Sequence, residues 1–321
     1  MMETLGPYYS LLAPPFVLAL AYLLSMLIPE PWRPRYLLAP LTAALAQKTN
    51  RPQRSPQQRQ LAGFLAMGMV LLPLLLLVWV VTQLAAYPLP FELALLAWLL
   101  PGVALGRDTD ALLARIEAGQ KTQARGTLAH WTLRDTQSLS ELGLVKAGIE
   151  VQLNQARTQS FAILFWYALG GPILAVLCWL ANELNRQWHP ERPQMSCYGH
   201  WPSRLAGALM LPVNGLLGLT LSLYGNPIVP WRTRHQLTGN VLLRSQQWPQ
   251  LCLACSLDRQ LGGPWQLEGQ RHLRPRLGPS ILPEPADLIR TRRLLSYATW
   301  LWLALLFLLG ASLALGWHHL N

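Results

Sequence analysis

The sequence predicts an all-α, polytopic integral membrane protein, and three observations carry that prediction. Residues 10–28 (19 in all) and 294–317 (24) contain no charged side chain, and Glu92 is the only charge across residues 61–106. About 20 apolar residues are needed to cross about 30 Å of hydrocarbon. Hydrophobic residues make up 52% of the chain and charged ones 13%, against about 25% charged in soluble domains. The 26 basic residues are also unevenly placed: six in 29–60, seven in 107–157, ten in 232–293 and three in 182–204. Clustering beside apolar runs orients a membrane chain with its basic loops in the cytoplasm. It is read as topology, not as a nucleic-acid surface.

Taken in order, the predicted membrane segments are about 10–28, 61–86, 91–105, 160–181, 205–224 and 294–317, in one domain spanning 1–321. The first carries Pro14-Pro15 near its start, where a helix tolerates proline. The loop 29–60 includes Arg51-Pro52-Gln53-Arg54-Ser55-Pro56 and reads as flexible. The third segment is only about 22 Å long as a helix, so it thins the bilayer or crosses part-way.

Residues 106–159 are polar. Ala111, Leu112 and Ile116, then Leu139, Leu142, Val145 and Ile149, recur at spacings of three and four, which predicts amphipathic helices against the membrane face. The segment 160–181 is broken by Gly170-Gly171-Pro172, and 205–224 by Pro212, Asn214 and Gly215. Such a break survives in hydrocarbon only where protein or a wet cavity covers it. Each is therefore a kinked span or a re-entrant pair, and paired breaks point to a site. That pattern also fits a transporter. Six full crossings place the loop 182–204 opposite the basic loops; placing it with them requires both broken segments to be re-entrant. A third basic loop, 225–293, precedes the last span.

The motifs that follow residue 124 are individually short, but their order is specific. Ala124-Arg125-Gly126-Thr127-Leu128, Arg134-Asp135-Thr136, Lys146-Ala147 with Glu150, Ala162, Leu164-Phe165 and Leu169-Gly170-Gly171 come in succession. Asn182 and Leu184, Pro202 with Arg204-Leu205, Gln260-Leu261-Gly262-Gly263-Pro264, and Asp287 with Arg290-Thr291 and Arg293 come later. Together they resemble the CobD/CbiB family, the membrane adenosylcobinamide-phosphate synthases of cobalamin biosynthesis, from about residue 30 onward. The resemblance implies a bacterial inner-membrane protein that joins an aminoalcohol phosphate to adenosylcobyric acid through an amide bond. The corrinoid is then a substrate, with ATP and Mg²⁺ as further expectations. It also implies a site: Glu150, Asp135 and Arg134 as catalytic residues, with Thr136, Asn154, Gln155, Asn182, Asn185 and Arg204 on the substrate.

Several acidic positions of that pattern are neutral here. Asn154-Gln155 and Thr158 stand where the family has Glu-Asn and Asp. Asn185 replaces another Asp, Met195 and Ser196 fall on paired aspartates, and Pro29-Glu30-Pro31 replaces Gly-Asp-Pro. Neutral carbonyls hold a hard divalent cation less well than carboxylates. Some residues are instead similar to the AmpE family, linked to β-lactamase regulation, notably Ala162-Ile163-Leu164-Phe165-Trp166 and Arg204-Leu205-Ala206-Gly207. The second reading is therefore an inactive signalling protein with a membrane or regulatory partner.

Each motif also has a plainer reading. Arg134-Asp135-Thr136 suits phosphate and Mg²⁺, or a capping turn with Thr136 near the N-cap. Glu150 is a headgroup-level charge or a functional boundary carboxylate. Cys197, His200, Cys252 and Cys255 have the short spacing of a zinc set, though two thiol pairs in apolar surroundings are the simpler expectation. Tryptophan is abundant, with 14 residues, as interfacial belts require.

Overall fold

The structure, a computed structural model, describes residues 6–85 and 87–320, with side chains over 15–85 and 87–312. Ala86 and the ends of the first and last predicted segments therefore lie outside the described side chains. Twelve helices follow in order: α1 (Gly6–Ser25), α2 (Pro34–Thr49), α3 (Pro56–Leu84), α4 (Pro88–Leu99), α5 (Ala104–Glu117), α6 (Lys121–Ala129), α7 (Glu141–Gln155), α8 (Ala162–Gln187), α9 (His200–Ser222), α10 (Ile228–Arg232), α11 (Val241–Leu257) and α12 (Asp287–Leu320). A π-helical stretch, Ala156–Phe161, joins α7 to α8. Two antiparallel ladders stand between α11 and α12. One pairs β1 (Leu261–Gly262) with β4 (Arg276–Leu277); the other pairs β2 (Trp265–Leu267) with β3 (Gln270–His272).

Five stretches among the described residues are long and apolar enough to cross a membrane: Pro56–Leu84, Pro88–Glu117, Glu141–Gln187, His200–Ser222 and Asp287–Ser312. α3 begins cleanly because Ser55 and Gln58 form a reciprocal capping box with Pro56 at the first turn, a strong start signal. Its middle exposes Leu65, Met69, Leu72 and Leu76, the outward face of a lipid-solvated helix. α4 has 12 residues, about 18 Å, and stops before Leu100-Pro101-Gly102. Arg33 ties that end to the end of α1. Its guanidinium donates to the carbonyls of Ala97 at 3.3 Å and Ile28 at 3.2 Å, and also to those of Leu100 and Ser25. Carbonyls at the ends of α1 and α4 and in the turn after α1 thus share one buried cation.

α8 reverses. Gly171 sits at φ 66°, ψ −159°, a region essentially confined to glycine, and Pro172 follows. Trp179 lines the same narrow cleft as Gln155 and Gln159. In one straight helix, Gln155 and Trp179 would stand about 36 Å apart. The two arms are therefore a re-entrant hairpin, the second of the two alternatives left open by the Gly-Gly-Pro break. Near the tip, the Tyr167 hydroxyl donates to the Glu92 carboxylate at 2.6 Å, pinning the hairpin to α4.

The reversal brings the segment 188–199 to the face that carries the basic loops. Asn50 donates to Gln194 O at 2.9 Å, Arg192 pairs with Glu268 at 3.6 Å, and Arg274 with Glu191 at 3.0 Å. α9 differs from expectation by running unbroken through Pro212. Its first turn follows the 188–199 segment, and just past its end Tyr224 stacks on Tyr297 at 6.5 Å. Tyr297 is four residues, about one turn, beyond Arg293 in α12. By length and composition α9 is one of the stretches that could cross a membrane.

Two further expectations are corrected. The loop 29–60 holds ordered α2 and the start of α3. α7, expected to lie amphipathically on the membrane face, buries Leu144, Val145, Ile149, Gln152 and Leu153 together, because α5, α11 and α12 enclose it.

Candidate functional site

α7 starts at Ser140, whose hydroxyl accepts from Gly143 N at 3.2 Å; Thr136 is buried and does not cap it. This start sets the register that points Glu150 inward. Glu150 Oε1 accepts from Gln250 Nε2 on α11 at 3.1 Å, and Oε2 faces Arg134 Nη1 at 3.7 Å. One turn earlier, Lys146 Nζ donates to Gln260 Oε1 at 3.3 Å. Carboxylate, guanidinium, ammonium and two amides thus converge where α7, α11 and the β1 strand meet.

Arg134 also packs against the Trp265 ring (5.9 Å), with Arg274 on that ring at 4.1 Å. Asp135, next in sequence, takes different partners. Its carboxylate accepts from Glu268 N at 3.3 Å and Gly269 N at 2.9 Å, and its own N–H donates to Gln266 O at 2.9 Å. Glu268 and Gly269 both have positive φ, 49° and 76°, as a tight two-residue hairpin turn requires. Asp135 therefore holds the β2–β3 hairpin over Arg134.

At the π-helical stretch, Arg157 donates to Asn154 Oδ1 at 2.7 Å and Asn214 Oδ1 at 3.4 Å, and Asn214 reaches Ser245 at 3.1 Å. Gln155 turns to the other side, into the cleft with Arg33 and Trp98, and its Oε1 is buried without a partner. Asn185 Oδ1 is likewise buried and unpaired. Asn182 donates to Cys178 O in its own helix at 2.9 Å. Arg204 stacks on Trp201 at 5.8 Å on the outer face of α9, apart from the Arg134–Glu150 pair. The sequence-predicted residues thus divide between two pockets, a hairpin brace and the molecular surface.

His189 is half-buried beside Arg274, Arg192 and His272; loss of solvation holds its pKa below the ordinary value, against the pull of Glu191 and with Arg274 and Arg192 adding to the lowering. Its Nδ1 accepts from Glu191 N at 3.3 Å, which requires the unprotonated nitrogen.

Among the described residues, no three His, Cys, Asp or Glu side chains gather as a metal site. Both oxygens of Asp135 and both of Glu150 face donors within the protein. Gln250, Trp265, Arg274 and Arg157 were missed from sequence. Lys146 and Gln260 were visible as motif members, without a sign that they meet.

The fold and this constellation define a polytopic helical membrane protein with a polar, charged centre at one membrane face. The CobD/Cbib protein family matches residues 18–295, and the chain belongs to that family. It is similar to the cobalamin biosynthesis protein CobD of Chromobacterium violaceum, 29% identical over 94% of this chain and 98% of that one. It is also similar to the proteins of that name from Stutzerimonas stutzeri, 27% identical over 90% and 96%, and Pelobacter propionicus, 26% identical over 95% and 97%. No solved structure matches the chain. These relatives bear the cobalamin name, and the AmpE-like alternative is not favoured.

Proposed function

We propose that this protein forms the amide between the amine of an aminoalcohol phosphate and a carboxylate of adenosylcobyric acid, working in the bacterial inner membrane with its basic loops cytoplasmic. The observation that carries the reading is the Arg134–Glu150–Gln250 contact, assembled beside Lys146 and Gln260 in a chain of this family. A carboxylate is a poor acyl donor; phosphoryl transfer from ATP, the co-substrate proposed here, would make it an acyl phosphate with release of ADP, and the amine would then displace phosphate. In this scheme Glu150 takes a proton from the attacking ammonium, and Arg134 and Lys146 offset the negative charge of phosphate-bearing substrates. No step is assigned to a metal.

The test is complementation of a strain lacking its own synthase, supplied with cobyric acid. Wild type should restore cobalamin-dependent growth. Glu150→Gln, present in the membrane at equal amount, should lower the rate in membranes about 10²–10⁴-fold, the usual range for loss of a positioned base. Absence of growth with well-expressed wild type would reject the activity.

A further inference from the structure

The residues between α9 and the middle of α11 take no part in the centre described above, yet their surface is unusual. Val241 is 69% exposed, Leu223 67% and Trp231 50%; Ile228 and Leu243 are exposed too. Leu211, Leu216 and Leu219 are exposed as well, an outward stripe of α9 that leads at helical spacing to Leu223. Across residues 192–257 there is no Asp or Glu, while Arg232, Arg234 and Arg244 stand exposed within the patch. Depth is marked by Tyr224, stacked on Tyr297 one turn below the last arginine of α12. Trp231 packs on Trp248 at 4.9 Å, and that indole lies directly over Gly218 of α9.

We propose that residues 223–244 lie in the headgroup layer of an anionic bilayer, with Ile228, Trp231, Val241 and Leu243 at the acyl boundary and Arg232, Arg234 and Arg244 on lipid phosphates. Apolar side chains beside cations, with aromatic anchors and no acid, are the composition of an interfacial element. Continuity with the lipid-facing stripe of α9 selects lipid over a soluble protein, since any partner covering the patch would also have to enter hydrocarbon. The segment thus belongs to the membrane and not to an aqueous loop. α11, which carries Gln250 to Glu150, is then tethered to the bilayer at its other end. This assignment is independent of the chemistry proposed above.

The test uses the full chain with Cys197→Ser and Cys255→Ser, the other two cysteines being buried. A fluorophore on Leu243→Cys is followed in phosphatidylcholine vesicles with or without phosphatidylglycerol. Lipid brominated near the headgroup should quench it and aqueous iodide should not. Arg232→Gln, Arg234→Gln and Arg244→Gln should each lower the preference for phosphatidylglycerol in the surrounding lipid about five-fold, as expected for about 1 kcal/mol per surface cation. The same label on Val241→Cys serves if the Leu243 variant does not elute as a single species. Iodide quenching equal to that of a label at Arg54→Cys would overturn the proposal. So would cross-linking of two chains through the introduced cysteine, which would assign the patch to a second copy.

Discussion

At the scale of single residues, neighbours in sequence serve different ends. Arg134 faces Glu150, while Asp135 gives both oxygens to backbone N–H groups of a hairpin turn. Hydrogen bonds to charged groups contribute about 1.5–3 kcal/mol each. Asp135→Asn, which keeps one acceptor oxygen, should therefore destabilise the protein by about 2 kcal/mol in a melting experiment, whereas Arg204→Gln, on the outer face of α9, should leave the melt near wild type. Equal melts for the two variants would deny Asp135 its bracing role. His189 supplies a pH dependence. Its folded pKa lies below the ordinary 6.5, so between the two values the unfolded chain binds more protons and stability rises with pH. His189 is therefore accommodated without cost above about pH 6.5 and destabilises the fold as pH falls toward its folded value. His189→Gln should flatten that acid limb of a melting-temperature profile; an unchanged limb would assign it to other groups.

At the scale of elements, the same amino-acid signals had unequal outcomes. Gly170-Gly171-Pro172 marked a true break because Gly171 adopts a backbone conformation that other residues avoid. Pro212 did not, since a lone proline removes one donor and the α9 ladder continues on either side. α2 was hidden by the Pro- and Gln-rich stretch after it, and α11 by its polar middle and Pro249. Within the centre, Glu150 and Arg134 were named through the resemblance to the family's motifs. Gln250 was not, because no local pattern reports a contact between residues 100 positions apart. No atom lies within 4 Å of a Cβ built on Gly171, so Gly171→Ala tests the backbone alone. It should cost about 1–3 kcal/mol, read as a lower melting temperature. Gly170→Ala would instead meet Leu174 at Cδ1, Cγ and Cβ, so it mixes packing with backbone and is not the cleaner test. If Gly171→Ala were neutral, the reversal would not depend on this conformation.

At the scale of the molecule, the folding back of α8 changes which surfaces can cooperate. Six straight crossings would put 188–199 on the opposite side from 29–60 and 265–274, separating Arg192 from Glu268 and Arg274 from Glu191. A hairpin that enters and leaves by one face sets 188–199 beside Asn50, Glu268 and Arg274. An apolar frame can then hold a charged centre at the membrane surface without exposing it to hydrocarbon, where an ionised side chain is costly. The arrangement predicts sidedness that can be measured. In a Cys255→Ser background, a membrane-impermeant maleimide should label Cys197 and an introduced Arg54→Cys from the same side of sealed vesicles, and neither from the other. Labelling of the two from opposite sides would require α8 to cross the membrane outright, and would take Glu191 and Arg192 away from the hairpin that Asp135 braces.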